Sequence, residues 1–265
     1  MSKMREVATW TPAVRREGAA GDVEILSIDP AAVLPDRDAV LRELAIANEE
    51  RLSNEAAALL DAALEEASRL ATAIPAVLRP IANRDLDDLF RPPELHQHPS
   101  PLEQVFDGAG DLAAYAATLG APICSRIREH FAAGDYPRGF YLDTIASLMA
   151  DAAGDLLEHY FEWLLRKAGG GEETAALGYS PGYCGWRLEA QRPLFRVLGP
   201  ERIGLHLNES FLMDPIKSIS GILAAGPPEI HFFRNDYDFC ADCRTQSCLR
   251  RMRALQRRFP EARRN

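Results

Sequence analysis

Three cysteines near the C-terminal end of the chain have the spacing of metal ligands. They form the array Cys240-x2-Cys243-x4-Cys248. Two thiolates separated by two residues reach one metal ion, and a third thiolate five positions later reaches the same ion around a turn. A tetrahedral site needs a fourth ligand, for which Cys184 is the first candidate and His231 the second. A [4Fe–4S] cluster, a structural zinc ion and free redox-active thiols all remain open.

Cys184 lies in a segment whose composition predicts an ordered loop. Residues 179–186 read YSPGYCGW. The proline lacks a backbone donor, and Gly182 and Gly185 permit backbone conformations that other residues avoid. Aromatic side chains around such a loop are typical of a pocket for a flat or nucleoside-bearing ligand. The alternative is a turn that packs on the core.

Two other groups of potential ligands are interpreted as structural. Cys124 lies between apolar residues of a predicted helix and is expected to be a core thiol. His96 and His98 lie in an irregular segment rich in Pro, Asp and His. We expect this pair to belong to a solvated loop and not to a metal site.

The charge distribution bears on the class of partner. The net charge of −9 over 265 residues argues against nucleic acid, because phosphate binding needs a positive surface. The tail is nevertheless basic, since only Glu261 opposes eight arginines from position 244 onwards. This tail is either a solvated helix face or a surface that docks an acidic protein.

Hydrophobic periodicity predicts the elements that position these residues. Residues 1–21 show no period and predict a mobile N-terminal arm. Helices are expected over 37–51, 53–73, 112–119, 122–133, 136–167 and 188–198. Strands are expected over 23–28, 76–78, 203–207 and 219–224, with a possible further strand over 229–233. Helices outweigh strands, and the strands cluster late in the chain, which favours an α+β fold with a largely antiparallel sheet.

An ordered series of motifs resembles the reactivation domain of cobalamin-dependent methionine synthase, and resembles its free-standing relatives more closely. The similarity covers about residues 22–250. The motifs are Tyr115 to Gly120, Leu142-Asp143, Ala150-Asp151, Pro181-Gly182-Tyr183, Asn208-Glu209-Ser210, Met213, Pro215 and Ser218-Ile219-Ser220-Gly221. The resemblance implies a C-shaped single domain over residues 22–239, with a twisted sheet flanked by long helices, followed by a Cys-containing basic segment over 240–265.

The resemblance also implies an S-adenosylmethionine pocket. Its residues would be Tyr179, Pro181, Gly182, Tyr183, Glu209, Ser218 and Ser220, with Asp151 facing the ligand amino group. One position departs from the family, because Gly178 stands where an arginine would bind the ligand carboxylate as a planar fork. Glu209 is alternatively a buried structural carboxylate bonded to backbone amides.

These observations lead to the hypothesis of an accessory protein for reductive reactivation of cobalamin. The cobalamin would be carried by a corrinoid-dependent methyltransferase, as in a split methionine synthase, and a flavodoxin or ferredoxin-type protein would donate the electron. The need for an electron favours iron–sulfur over zinc at Cys184, Cys240, Cys243 and Cys248. The alternatives are a non-catalytic corrinoid-protein binding module with a structural zinc ion and a stand-alone S-adenosylmethionine-dependent methyltransferase.

The sequence shows no pattern typical of a signal peptide or of a membrane-spanning segment. The first thirty residues contain no apolar run suited to a signal peptide, and no stretch approaches the roughly 20 apolar residues that span a bilayer. We therefore expect a soluble cytoplasmic protein that binds neither membranes nor nucleic acid.

Overall fold

The computed structural model describes residues 13–46, 52–171, 173–234, 236–243 and 247–263. The strands are β1 (Val14–Ala20), β2 (Val23–Ile28), β3 (Ile74–Ile81), β4 (Asp111–Thr118), β5 (Ala175–Tyr179), β6 (His206–Leu207), β7 (Met213–Asp214) and β8 (Ser218–Gly226). The α-helices are α1 (Arg37–Glu43), α2 (Asn54–Leu70), α3 (Leu86–Leu89), α4 (Pro101–Gly108), α5 (Ala121–Ala132), α6 (Tyr136–Lys167), α7 (Gln191–Leu198), α8 (Asp238–Ala241) and α9 (Ser247–Arg258).

Six of the strands form one sheet in the order β1-β2-β3-β4-β8-β5, and β6 pairs with β7 in a separate hairpin. The pairs β1–β2, β2–β3 and β5–β8 are antiparallel. The fold thus combines helices with an antiparallel sheet, and its described residues lack the alternating parallel strands and helices of an α/β fold. The predicted α+β class is confirmed.

The chain divides into two compact units. The first unit comprises the described residues of 1–78 together with 116–157 and 199–219. Its helix α2 begins where Ser53 accepts a hydrogen bond from the backbone N–H of Ala56 at 3.1 Å, as the sequence predicts for an N-cap. In its long helix, Leu142, Ile145 and Met149 are fully buried, which agrees with the predicted helical period.

The second unit comprises residues 79–115, 158–198 and the described residues of 220–265. Strand β5 pairs with β8 from Ala175 opposite Gly226 to Tyr179 opposite Ile222. Trp186 is buried, lies edge-on to the Phe90 and Phe106 rings with centroids 6.0 Å away, and anchors the loop that follows β5. This unit contains the four cysteines of the predicted metal site.

The largest error of the sequence analysis is the helix expected over 112–119. These residues form β4, and every position from Leu112 to Thr118 is buried. A strand buried on both faces has a continuous apolar run and not an alternating one. Such a run of small residues does not distinguish a helix from a strand.

Smaller corrections concern the ends of elements. Part of the predicted N-terminal arm is strand β1, whereas residues 1–12 lie outside the described residues. The strand expected over 203–207 is shortened to β6, because Pro200–Ile203 forms a 3-10 helix. The possible strand over 229–233 is also wrong, since Pro228–His231 is a 3-10 helix. The first helix ends at Glu43, and residues 47–51 of its predicted range lie outside the description.

No helix within the described parts of the chain is long and apolar enough to cross a bilayer.

Candidate metal and cofactor site

The second unit contains a cavity of about 550 Å³ that collects all four predicted metal-ligand cysteines. One wall is the loop from Gly182 to Glu189, which carries Cys184. The remaining lining residues are Gln97, Pro101, Phe233, Phe239, Cys240, Asp242, Cys243, Cys248 and Leu249. The structure therefore places Cys184, the first candidate for a fourth ligand, beside the C-terminal cysteine array.

The loop is held in place by backbone and side-chain hydrogen bonds. Gly182 N donates to the carbonyl of Trp186 at 2.7 Å, and the Trp186 indole N–H donates to the carbonyl of Leu89 at 3.1 Å. The Ser100 hydroxyl donates to the carbonyl of Cys184 at 2.8 Å. Cys184 itself adopts a left-handed backbone conformation with φ 53°. These bonds fix the backbone from which the Cys184 thiol projects.

Gly185 allows the loop to approach the C-terminal segment closely. Its φ is +80°, and a Cβ atom at this position would lie 2.8 Å from Cε1 of Phe239 in α8. Any larger residue would push the ring of Phe239 away from the loop. The glycine thus permits direct packing between the loop and the segment that carries Cys240.

The sulfur atoms of Cys184 and Cys248 share a hydrogen bond that separates their proton affinities. Accepting this bond, together with donation by backbone N–H groups in the first turn of α9, lowers the pKa of Cys248 to about 6. The same bond and burial raise the pKa of Cys184. Of the two thiols, Cys248 is therefore the more readily ionised, and Cys184 the one that retains its proton to higher pH.

His231, the second candidate for the fourth ligand, is a core residue. It is fully buried, its Nδ1 lies 2.8 Å from the Tyr179 hydroxyl, and its Nε2 lies 3.2 Å from the carbonyl of Ala175. Burial lowers the pKa of His231 to about 4, so the ring is neutral. Both nitrogens are occupied, because Nε2 donates to the carbonyl and Nδ1 accepts from the phenol. Cys184, and not His231, lines the cavity together with the C-terminal cysteines.

The residues predicted for the S-adenosylmethionine pocket differ in their environments within the second unit. Gly182 and Tyr183 line the cavity, and Tyr183 is 48% exposed. Tyr179 is buried, and burial raises the pKa of its phenol. Pro181 is also buried, and the Ser220 hydroxyl donates to the Gln191 amide oxygen at 2.8 Å inside the core.

Three further residues of that prediction lie in the first unit. Asp151 is exposed on α6. Glu209 is exposed in the turn between β6 and β7, so the alternative of a buried structural carboxylate is wrong. The Ser218 hydroxyl lies 2.6 Å from the carbonyl of Pro215 and 2.7 Å from the Thr118 hydroxyl.

Gly178, which the family resemblance places at the position of an arginine, has no room for a side chain. A Cβ atom there would lie 2.6 Å from the Tyr115 hydroxyl oxygen, and its backbone N–H donates to Glu158 Oε1 at 2.7 Å. Arg251 of α9 pairs with the same carboxylate oxygen at 2.7 Å, and its guanidinium lies 5.4 Å from the centre of the Tyr179 ring. The arginine that lies beside Glu158 and Tyr179 is thus supplied by helix α9 and not by position 178.

The basic tail is partly an internal feature of the second unit. Besides Arg251, Arg258 forms a two-point ion pair with Glu162, whose Oε1 also accepts a hydrogen bond from Ala176 N at 2.9 Å. Glu162 is almost fully buried. The sequence predicted either a solvated helix face or a docking surface for the tail, and neither prediction included ion pairs with buried glutamates.

Sequence reasoning overlooked Glu103. His96, His98 and Glu103 present ligand atoms that all lie within 4.8 Å of one another, and no other group of three such ligands does so among the described residues. Glu103 lies only five positions after His98, in the first turn of α4. A His-x-His pair followed by an acidic residue at a helix start was the signal that could have identified the group. The sequence analysis expected no metal site at His96 and His98 because it did not take this carboxylate into account.

A family model and a solved structure are similar to this chain. The family model described as "Vitamin B12 dependent methionine synthase, activation domain" matches residues 107–236. A solved structure titled "Crystal Structure of the MetH Reactivation Domain bound to AdoHcy" aligns over 96% of this chain and 93% of that chain, with 16% sequence identity and a TM-score of 0.55. At this identity the alignment shows a shared fold. A search of curated proteins found no match.

Proposed function

We propose that this chain, a relative of the activation domain of vitamin B12-dependent methionine synthase, assists the reductive reactivation of cobalamin on a separate corrinoid protein. In this proposal the four cysteines hold an electron-carrying metal centre. The chain then acts in the manner of one part of a split methionine synthase. A flavodoxin or ferredoxin-type protein supplies the electron that converts cob(II)alamin to cob(I)alamin.

The convergence of Cys184, Cys240, Cys243 and Cys248 on one cavity carries the proposal. Four thiolates are the usual ligands of a [4Fe–4S] cluster, and they also suit zinc. A tetrahedral zinc ion with Zn–S bonds of about 2.3 Å holds its sulfur atoms about 3.8 Å apart. The Cys184 and Cys248 sulfur atoms share a hydrogen bond and are therefore close together. The single electron that reactivation requires, and not the sulfur spacing, favours a cluster.

The charges around the cavity favour an anionic centre. Cys248 is the more readily ionised of the two paired thiols, and Arg251 contributes to lowering its pKa. The Cys184 thiol has to lose its proton before it can bind a metal. Assembly of the centre therefore releases at least one proton and should be favoured as the pH rises. When bound, a [4Fe–4S] cluster supplies single electrons.

The exposed ring of Tyr183 is the proposed contact with the corrinoid protein. It lies on the rim of the cavity, in the same short loop as Cys184. Large exposed aromatic side chains are enriched at protein interfaces. A partner seated on this loop would lie close to the cysteine sulfurs.

The environment of Gly178 supports a second candidate function, in which the chain binds the corrinoid protein without using S-adenosylmethionine. The space that a side chain at Gly178 would enter is filled by the Tyr115 hydroxyl, and Arg251 is already paired with Glu158. Calorimetric titration separates the candidates. Tight binding of S-adenosylmethionine to the isolated chain would exclude the second candidate, whereas binding only to the corrinoid protein would favour it.

Metal analysis tests the cluster. Protein purified without oxygen should contain about four iron atoms and four sulfide ions per chain and show visible sulfur-to-iron absorption. Cys184→Ala should remove most of this absorption. Cys124→Ala is the matched control, because Cys124 is a buried cysteine of the first unit that takes no part in the cavity. A colourless protein with one zinc ion per chain would exclude the cluster.

A reactivation assay tests the function. The cobalamin-binding module of a methionine synthase, prepared as cob(II)alamin, is mixed with the chain and a reduced flavodoxin, and the visible spectrum of the corrinoid is followed. We expect Tyr183→Ala to slow reduction at least tenfold, since loss of about 1.4 kcal/mol of contact energy changes a rate by that factor. Tyr136→Ala, at an exposed tyrosine of the first unit, is the control. Equal rates for the two variants would show that the loop is not the contact.

A further inference from the structure

We propose that His96, His98 and Glu103 form a second metal site, which binds a divalent transition-metal ion such as Zn²⁺. The site is separate from the four cysteines and belongs to the second unit. It does not depend on the proposed reactivation function.

The donor set is suited to such an ion. Two imidazoles and one carboxylate are ligands that zinc accepts, and the same set binds Fe²⁺ where coordination positions stay open. Glu103 Oε1 lies 3.4 Å from His96 Nε2 and is also in contact with His98 Nδ1. The three ligand atoms therefore already surround one small volume.

His96 is underbonded for a buried imidazole. Its side chain is 1% exposed, its Nδ1 is buried without a hydrogen-bond partner, and its Nε2 has only the long contact with Glu103. Buried polar groups in native proteins are nearly always hydrogen-bonded, and a contact of 3.4 Å is beyond the usual range. A metal ion bound at Nε2 would replace this long contact with a strong interaction, whereas the surroundings of Nδ1 would stay as they are.

Two of the three ligands, His96 and Glu103, are held by different parts of the structure. His96 stacks on the Phe90 ring with centroids 4.2 Å apart, and its backbone pairs with that of Trp186. Glu103 is set by the first turn of α4, where the Ser100 hydroxyl accepts a hydrogen bond from Leu102 N. Because these supports are independent of any metal, the site is largely preorganised.

The exposure of the ligands defines an open side of the site. The side chains of His98 and Glu103 are 59% and 35% exposed, whereas His96 forms the buried base. Three protein ligands with one solvent-facing side leave a coordination position for water or another small ligand. The arrangement resembles an accessible metal site more than a closed structural one.

Titration of the full-length, metal-free protein with Co²⁺ under anaerobic conditions tests the proposal. Cobalt reports both kinds of site, since thiolate ligation produces intense charge-transfer absorption and nitrogen–oxygen ligation produces only weak visible bands. We expect one equivalent with nitrogen–oxygen character. His98→Ala should weaken this equivalent at least about 100-fold, because changes merely around a metal site already cost 10–100-fold.

Two further variants make the outcome decisive. Glu103→Gln keeps the shape of the side chain but removes its charge, and it should also weaken the nitrogen–oxygen equivalent. His206→Ala, at an exposed histidine of the first unit, should leave it unchanged. The site is overturned if wild type and His98→Ala bind the same number of equivalents with the same spectrum.

Failure of this inference is distinguishable from failure of the proposed function. Cys184→Ala should remove the thiolate charge-transfer absorption and retain the weak bands, and His98→Ala should do the reverse. Loss of both signals in His98→Ala with an unchanged circular dichroism spectrum would contradict two independent sites.

Discussion

Two histidine–glutamate pairs, His130–Glu66 in the first unit and His96–Glu103 in the second, use the same chemistry in different ways. His130 and Glu66 are both buried, the carboxylate lies 2.9 Å from His130 Nε2, and Arg126 pairs with its other oxygen. These hydrogen bonds lower the pKa of Glu66 against the effect of burial, which raises it. In the second pair, the contact is longer and one ring nitrogen has no partner.

The difference separates polar groups that stabilise a fold from groups arranged for a ligand. A buried carboxylate with two cationic or donor partners is satisfied within the protein. His231 is a second satisfied case, since each of its nitrogens has one partner. His96 is equally buried but lacks such partners, and its neighbours His98 and Glu103 are open to solvent. Underbonding of a buried ligand-type side chain is thus the feature that distinguishes the proposed metal site.

The largest expected effect concerns the hydrogen-bonded pair His130–Glu66. Glu66→Ala leaves His130 and Arg126 without their carboxylate and should lower the free energy of unfolding by about 3 kcal/mol. Chemical denaturation measures this change. The exposed neighbour Glu65 is the control, and Glu65→Ala should change stability by less than about 0.5 kcal/mol. A similar small change for Glu66→Ala would mean that the pair contributes little.

A pH titration of stability tests His231. Its pKa in the folded protein is about 4, below the ordinary value of 6.5, so the unfolded chain takes up the proton first. Stability should therefore fall as the pH drops from about 6.5 to about 4, by about 3 kcal/mol at full protonation. Denaturation at about pH 7 and about pH 4.5 measures the loss. His231→Asn should reduce this pH dependence, and an unchanged slope would assign it to other groups.

The smallest expected effect belongs to the proposed ligand site. His98→Ala should change the free energy of unfolding by less than about 0.5 kcal/mol, because the side chain is 59% exposed and supports no core packing. Thermal unfolding of the metal-free protein measures it. A large destabilisation would instead place His98 among the residues that stabilise the fold, with His130 and His231.

The helical periods and the cysteine spacing were readable from the sequence for physical reasons. Helix α6 has apolar residues on one face over its whole length, and its bounds agree with the prediction. The N-cap at Ser53 is a local hydrogen bond between residues three apart. The clustering of Cys240, Cys243 and Cys248 on one cavity follows from their nearness along the chain. All of these features depend on short separations.

Features that depend on distant partners were misread or missed. Strand β4 was taken for a helix because its burial on both faces comes from neighbouring elements. The arginines of α9 were expected to face solvent or a partner protein, whereas Arg251 and Arg258 pair with glutamates about 95 positions earlier. A sequence shows that such arginines exist but not which carboxylates they meet.

The sequence by itself determined the fold class, the family resemblance and the cysteine array. Tertiary structure decided between Cys184 and His231 as the neighbour of the array, and it alone showed that Tyr115 fills the space beside Gly178 and that Glu103 meets His96 and His98. The physical reason is that periodicity and local hydrogen bonds are encoded within a few residues. The proton affinity of Cys248 and the incomplete bonding of His96 depend instead on atoms that only folding brings together.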